Sequence, residues 1–354
     1  MTDFDFSILQ CPVTGESLRL LPNDEAMPYL ESAVSALSYT GPVTEGFVNE
    51  SLSYFYPVFS EIILLLPAYA LFIGDGIDRR VAMAFDKERV FNYYNKISYE
   101  IKNSLKVYND SSKWVDYRQV SADYIRNSFT RAGKYLQPGG KYFLDIASGP
   151  IGLPEYVALS KQYDVRICAD ISLNALLQAR QNYTQKGIFL CADITNIPLK
   201  ANVCDAVLCQ HTLYHVPRNE QKIALNEMCR VARSGTRIAI VYSLFYRSWF
   251  MNLTLMPLQV YRIVRHIGGK AYTRLLKDKP RLYYYPHSIA WFKKQSPGKG
   301  LDFYCWRSTN KYFLNLFIHG SIGGRFLSWL RKSEDAHPKF WARFGEYPLI
   351  VITK

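Results

Sequence analysis

YFLDIASGPIGLPEYV, residues 142–157, reads as a buried strand that ends on an acid, turns through small residues and opens a helix. Asp145 closes the apolar run, and Ala147, Ser148, Gly149 and Gly152 supply the small side chains. Small residues let a ligand lie against the backbone, and an acid beside such a turn can bind a cationic or hydroxyl-bearing group. On its own such a loop is equally a plain strand-end turn. The chain on either side decides between the two readings.

Outward from this stretch, apolar runs at Tyr142–Ile146, Val165–Ala169, Ile188–Ala192, Ala206–Cys209 and Arg237–Tyr242 read as strands. Helical stretches such as Leu173–Tyr183 and Glu220–Ala232 separate them. Strand–helix alternation of this kind predicts a parallel, doubly wound α/β sheet. Acids recur at the strand ends. Asp170 closes VRICADIS, 25 residues after Asp145, where an acid typically takes ribose hydroxyls, and Asp193 follows in FLCADITNIPL. The fourth strand runs into CDAVLCQHTLYHVP, and the fifth lies in EMCRVARSGTRIAIVY. A dinucleotide-binding dehydrogenase would share the strand pattern, but it would want a GxGxxG turn that residues 145–152 do not supply.

Together these ordered motifs, spread over residues 145–242, resemble the class I S-adenosylmethionine-dependent methyltransferases, in particular the group shared by ubiquinone-pathway and small-molecule enzymes. The resemblance implies a mostly parallel, seven-stranded Rossmann-like sheet and S-adenosyl-L-methionine as cofactor. It implies that Asp145, Ala147, Ser148 and Gly149 line the methionine end and that Asp170 holds the ribose hydroxyls, with Ile171 beside the adenine. Asp193 and Ile194 would contact the adenine, and Gln210 would face the sulfonium. The usual glycine-cysteine-glycine loop is Ala147-Ser148-Gly149 here, and Ile151 stands where another glycine is frequent.

The organisation expected is a small β-rich unit over 1–75, a helical stretch over 76–140, and a methyltransferase domain over 141–354 with an insertion at about 245–300. CPVTGESLRLL and YFYPVFSEIILLLP resemble the small zinc-ribbon-like activator subunit of tRNA and release-factor methyltransferases. Only Cys11 of a zinc-binding set is present there, so no metal is expected and a docking role is implied. The seven cysteines form no CxxC pair and sit largely in apolar runs, as in a cytosolic protein. The acidic N-terminus and the 12-residue apolar run Ile62–Ile73, carrying Pro67, argue for a cytoplasmic protein without a signal peptide or membrane span.

Charge is uneven. Residues 1–244 carry 24 basic and 25 acidic side chains, whereas residues 245–354 carry 19 and 5. The aromatic, basic run 245–294 suits a lid over the active site, a peripheral contact with anionic membrane, or a groove for a phosphate-bearing substrate. His211 and His215, four apart after the fourth strand, and His287 in RLYYYPHSIAWFKK are candidate bases, with packing as the plainer role. The leading expectation is methyl transfer to a small-molecule acceptor, phosphorylated or lipid-linked, at a hydroxyl of a sugar, glycolipid or secondary metabolite. A tRNA or other nucleic-acid methyltransferase is the alternative suggested by the N-terminus and charge, although QHTLYHVP replaces an Asn/Asp-Pro-Pro-Tyr loop. A non-catalytic scaffold with a degenerate fold is the third reading.

Overall fold

A computed structural model describes residues 4–36, 43–98, 101–102, 107–108, 114–244, 247–258, 260 and 282–354. The centre is one twelve-stranded sheet. Its strands are β1 (Leu18–Leu21), β2 (Val43–Asn49), β3 (Tyr54–Phe59), β4 (Ile62–Leu64) and β5 (Leu71–Phe72), then, after a separate hairpin of β6 (Ile101–Lys102) and β7 (Val107–Tyr108), β8 (Gly140–Ile146), β9 (Tyr163–Asp170), β10 (Gly187–Cys191), β11 (Ala206–Gln210), β12 (Arg237–Val241), β13 (Gly300–Arg307) and β14 (Tyr347–Thr353).

From β10 the order runs β10-β9-β8-β11-β12-β14-β13, with β14 alone antiparallel to its neighbours. This is the doubly wound α/β arrangement the motifs predict. The cause is visible in burial. Leu144 and Ile146 of β8 fall into one apolar cluster and Phe143 into the other, and β9, β11 and β12 divide in the same way. Strands apolar on both faces require cover on both, which parallel crossovers through helices supply. Ser172 starts one such helix, Leu173–Asn182, by accepting the Ala175 amide at 3.2 Å.

The N-terminal strands extend this sheet. β4 runs parallel to β10, pairing Ile62 with Phe189, and β3, β2 and β1 follow outward as antiparallel neighbours. Cys11 is buried with its sulfur 3.0 Å from the Tyr56 hydroxyl. The stretch expected as helical over 76–140 holds separate helices and two short strands. Within it, helices Phe85–Tyr93 and Gln119–Thr130 lie before and after the antiparallel β6–β7 pair, where Ile101 pairs with Tyr108. Towards the C-terminus, helices Lys311–Phe317 and Gly320–Ala336 are separated by the extended residues Ile318 and His319, and the left-handed Gly320 (φ +53°) opens the second. Of the basic run 245–294, residues 245–246, 259 and 261–281 lie outside the described residues. No described helix is long and apolar enough to cross a membrane.

Candidate active site

Parallel strands of one sheet end together, so the residues after β8, β9, β10 and β11 converge on one crevice. Ala147, Asp170, Ile171, Asp193, Ile194 and His215 line a cleft there of about 50 Å³, closed over by Lys87 and Val90 from helix Phe85–Tyr93. The loop after β8 is bent by left-handed residues at alternate positions, Ala147 (φ +58°), Gly149 (φ +60°) and Ile151 (φ +46°). The Ala147 amide donates to the Ala169 carbonyl at 2.6 Å, tying the turn to the tip of β9. Non-glycine residues in this region carry strain of about 1–3 kcal/mol, of the kind that clusters at functional sites.

Each of the three strand-tip acids has a different environment. Asp145 is fully buried beneath the loop and does not line the cleft. Its carboxylate accepts from Arg166 at 2.5 Å and from the Tyr156 hydroxyl at 2.5 Å, and the Arg166 guanidinium also lies over the Tyr156 ring. Asp145 thus anchors the crevice floor. Asp170 does line the cleft. It accepts the Gly149 amide at 2.9 Å and the Ser172 amide at 2.8 Å, which ties the β8 loop to the β9 helix start. Burial pushes its carboxyl up to about 6, against the pull of those amides. Asp193 is bridged. Lys87 reaches its carboxylate at 2.6 Å, Glu220 at 2.7 Å and the Thr195 hydroxyl at 2.8 Å. Burial alone would lower the Lys87 ammonium, but the two carboxylates hold it above its ordinary value.

A second cavity of about 400 Å³ adjoins the first through His215, which lines both. Its walls are aromatic, among them Tyr94, Phe129, Tyr214, Tyr284, Trp306 and Tyr347, with Arg307 and Lys311 as cationic side chains. The run 282–288 closes one side: the Tyr285 amide donates to the Tyr214 carbonyl at 2.8 Å, and the His215 ring bonds the Tyr283 carbonyl through Nδ1 at 2.7 Å. A carbonyl only accepts, so Nδ1 carries the proton and Nε2 is the basic nitrogen of the neutral ring. On the other side of the cleft, Lys87 and Asp193 also line a groove of about 560 Å³ under residues 66–84.

Of the other predicted residues, Ser148 and Gly149 belong to the β8 loop without lining the cleft, and Ser148 is buried. Gln210 ends β11, buried, with its side-chain nitrogen lacking a hydrogen-bond partner among the described residues. His211 lines the aromatic cavity between Trp306 and Tyr347, at ring-centroid distances of 4.6 and 5.2 Å. Burial, then the Arg307 charge, lowers its pKa to about 3, so the ring stays neutral and weakly basic. His287 lines neither cavity and is stacked on Trp291 at 3.9 Å. Sequence reasoning missed Lys87, Glu220 and Arg307. Lys87 lies 106 residues before its partner Asp193, and no local spacing marks it.

Residues 144–240 match the family described as a methyltransferase domain. Over 163 residues the chain is 28% identical to the demethylmenaquinone methyltransferase of Corynebacterium urealyticum, a stretch covering 46% of this chain and 62% of that protein. Over 101 residues it is 36% identical to an uncharacterized protein of Methanocaldococcus jannaschii, covering 28% of this chain and 41% of that one. The chain therefore spans only part, 62% and 41%, of the length of these relatives. Among solved structures, a SAM-dependent methyltransferase from Archaeoglobus fulgidus is similar at 13% identity and a TM-score of 0.41, over 66% of this chain and 95% of that one.

Proposed function

We propose that the chain is an S-adenosylmethionine-dependent methyltransferase acting on a small-molecule acceptor. The observation that carries this reading is the adjacency of the two cavities. The strand-tip cleft has the acid and small residues that suit an adenosyl group, and it meets an aromatic cavity at His215. The chemistry of the donors fits the cofactor. Asp170 would accept from ribose hydroxyls, Ile171 and Ile194 would flank the adenine, and the loop of Ala147, Ser148 and Gly149 would border the methionine end. The buried Gln210 amide nitrogen, unbonded among the described residues, is a donor that an oxygen of the cofactor would satisfy. The cleft's own 50 Å³ is small for a nucleoside, so binding requires Lys87 and its helix to give way towards the 560 Å³ groove.

The cofactor, once bound, supplies a methyl group activated on a sulfonium. The protein's part is alignment and exclusion of water. The aromatic cavity would orient the acceptor, and the 282–288 run would shield it. His215, held by the Tyr283 carbonyl, would take the proton of an acceptor hydroxyl at Nε2. His211, neutral between two rings, would serve as wall. A cavity walled in this way favours a secondary metabolite or the apolar part of a glycolipid over a bare sugar or a nucleic-acid strand.

Methyl-labelled S-adenosylmethionine incubated with the protein and a fractionated cell extract tests the reading. Label in the small-molecule fraction that is absent with Asp170→Ala supports it. Label confined to nucleic acid, or no transfer and no cofactor binding, overturns it. Replacing His215 by Gln should cut turnover by about 10²-fold or more while cofactor affinity stays, the size expected for losing a general base.

A further inference from the structure

We propose that Arg307 is an anion receptor in the aromatic cavity, so that the acceptor carries a carboxylate or phosphate group on an aromatic or otherwise apolar body. This rests on the cavity being the acceptor site. Arg307 ends β13, is only 4% exposed and lines the cavity. Among the described residues its contacts are all neutral. Its Nε donates to the Thr309 carbonyl at 3.1 Å, and its guanidinium lies over the Trp306 and Tyr347 rings at 5.0 and 4.9 Å.

Among the described residues no carboxylate forms an ion pair with it. Glu346, the neighbouring buried acid, is engaged instead by the Ser243 hydroxyl at 3.1 Å. The other buried arginines differ: Arg166 has Asp145 and Arg131 has Glu334. A guanidinium cannot shed its charge, and taking it out of water is costly unless a counter-charge meets it. The ring faces offset part of that cost. An anionic oxygen group entering the cavity would meet the rest, and the fork of remaining N–H donors suits the planar carboxylate and the phosphate alike. The rings around it supply the surface for the ligand's apolar body. Arg307 would then set which molecules bind and how they turn towards the cofactor cleft.

Calorimetric titration with naphthoate, naphthyl phosphate and the neutral naphthylmethanol tests this on the full chain. The wild type should bind an anionic probe about 10- to 100-fold more tightly than the alcohol, as a charge-assisted contact predicts. The better of the two anions identifies the group. In Arg307→Met that preference should vanish while the alcohol's affinity stays, and Arg307→Lys should keep part of it. Equal binding of all three probes, no binding of any, or a preference that survives Arg307→Met overturns the proposal. Should Arg307→Met not fold, a crystal of the wild type with naphthoate decides: its carboxylate belongs on Arg307, and a carboxylate turned to Lys311 or to solvent refutes the receptor. S-adenosylhomocysteine titrated into the same preparations reads the cofactor site separately. Its failure to bind leaves the anion preference standing, while lost preference beside intact cofactor binding removes the receptor alone.

Discussion

The two halves of the crevice are built on opposite principles. The half proposed for the cofactor comes from consecutive strand ends between Ile146 and Pro217, joined among the described residues by Lys87 and Val90. Its polar groups are short, local and strongly bonded. The half proposed for the acceptor gathers Tyr94, Phe129, Tyr214, Tyr284, Trp306 and Tyr347 from far-apart elements, and its deeply buried Arg307 has no counter-ion among the described residues. The first half is a property of the sheet, whereas the second depends on how the later helices and the 282–288 run pack onto it. Specificity can therefore change in the second half without disturbing the first.

The difference is tested most severely at the floor of the cofactor half. Arg166→Ala leaves Asp145 buried and unpaired, so urea unfolding should show a loss of about 3–5 kcal/mol; a loss under about 1 kcal/mol would mean the pair does not anchor the crevice. Next in size is Asp170. Asp170→Ala should weaken S-adenosylhomocysteine binding by about 10- to 100-fold, the worth of hydrogen bonds to a charged group. Burial raises this carboxyl to about 6, and the ionised form is the one that accepts from two hydroxyls. Cofactor affinity should therefore fall as pH drops through 6 in the wild type and stay flat in Asp170→Asn. Stability of the free protein runs the other way. The Asp170 contribution is complete below the unfolded value of 3.8 and is lost as pH rises through about 6. A pH-independent affinity in the wild type would remove Asp170 from the ribose position.

Smaller effects probe the edges. Lys87→Met leaves Asp193 and Glu220 facing each other without their cation, and thermal or urea unfolding should register about 1–2 kcal/mol of destabilisation. The acceptor half should be indifferent to it, with naphthoate affinity unchanged. Ala147→Gly relieves a left-handed alanine, so stability should rise by up to about 1 kcal/mol with cofactor affinity preserved. A destabilised glycine variant would show that the β8 turn is not strained.

How much of this was legible in the sequence follows the same division. The doubly wound sheet and the ordered acids could be read because strand alternation and strand-end acids are local patterns. Burial of alternate β8 residues in opposite clusters is that pattern in three dimensions. The roles of the acids were less legible. Asp145 and Asp170 look alike in sequence, yet Arg166 saturates one while the other faces the cleft, and that distinction is made by a side chain 21 residues away. His211 and His215 also look equivalent at a spacing of four. The 3-10 turn Leu213–His215 and the Tyr283 carbonyl separate them, leaving one between rings and the other at the junction. Arg307 could not be found at all, since what marks it is burial without an ion-pair partner among the described residues, which only packing reveals.

The central claim is that the tips of β8, β9 and β10 hold an adenosyl group whose reactive end faces the aromatic cavity. A crystal structure grown with S-adenosylhomocysteine tests it most directly. The account predicts ribose hydroxyls on the Asp170 carboxylate, the adenine between Ile171 and Ile194, and the sulfur directed towards His215. An empty crevice at saturating ligand, or the nucleoside bound away from Asp170, would contradict it.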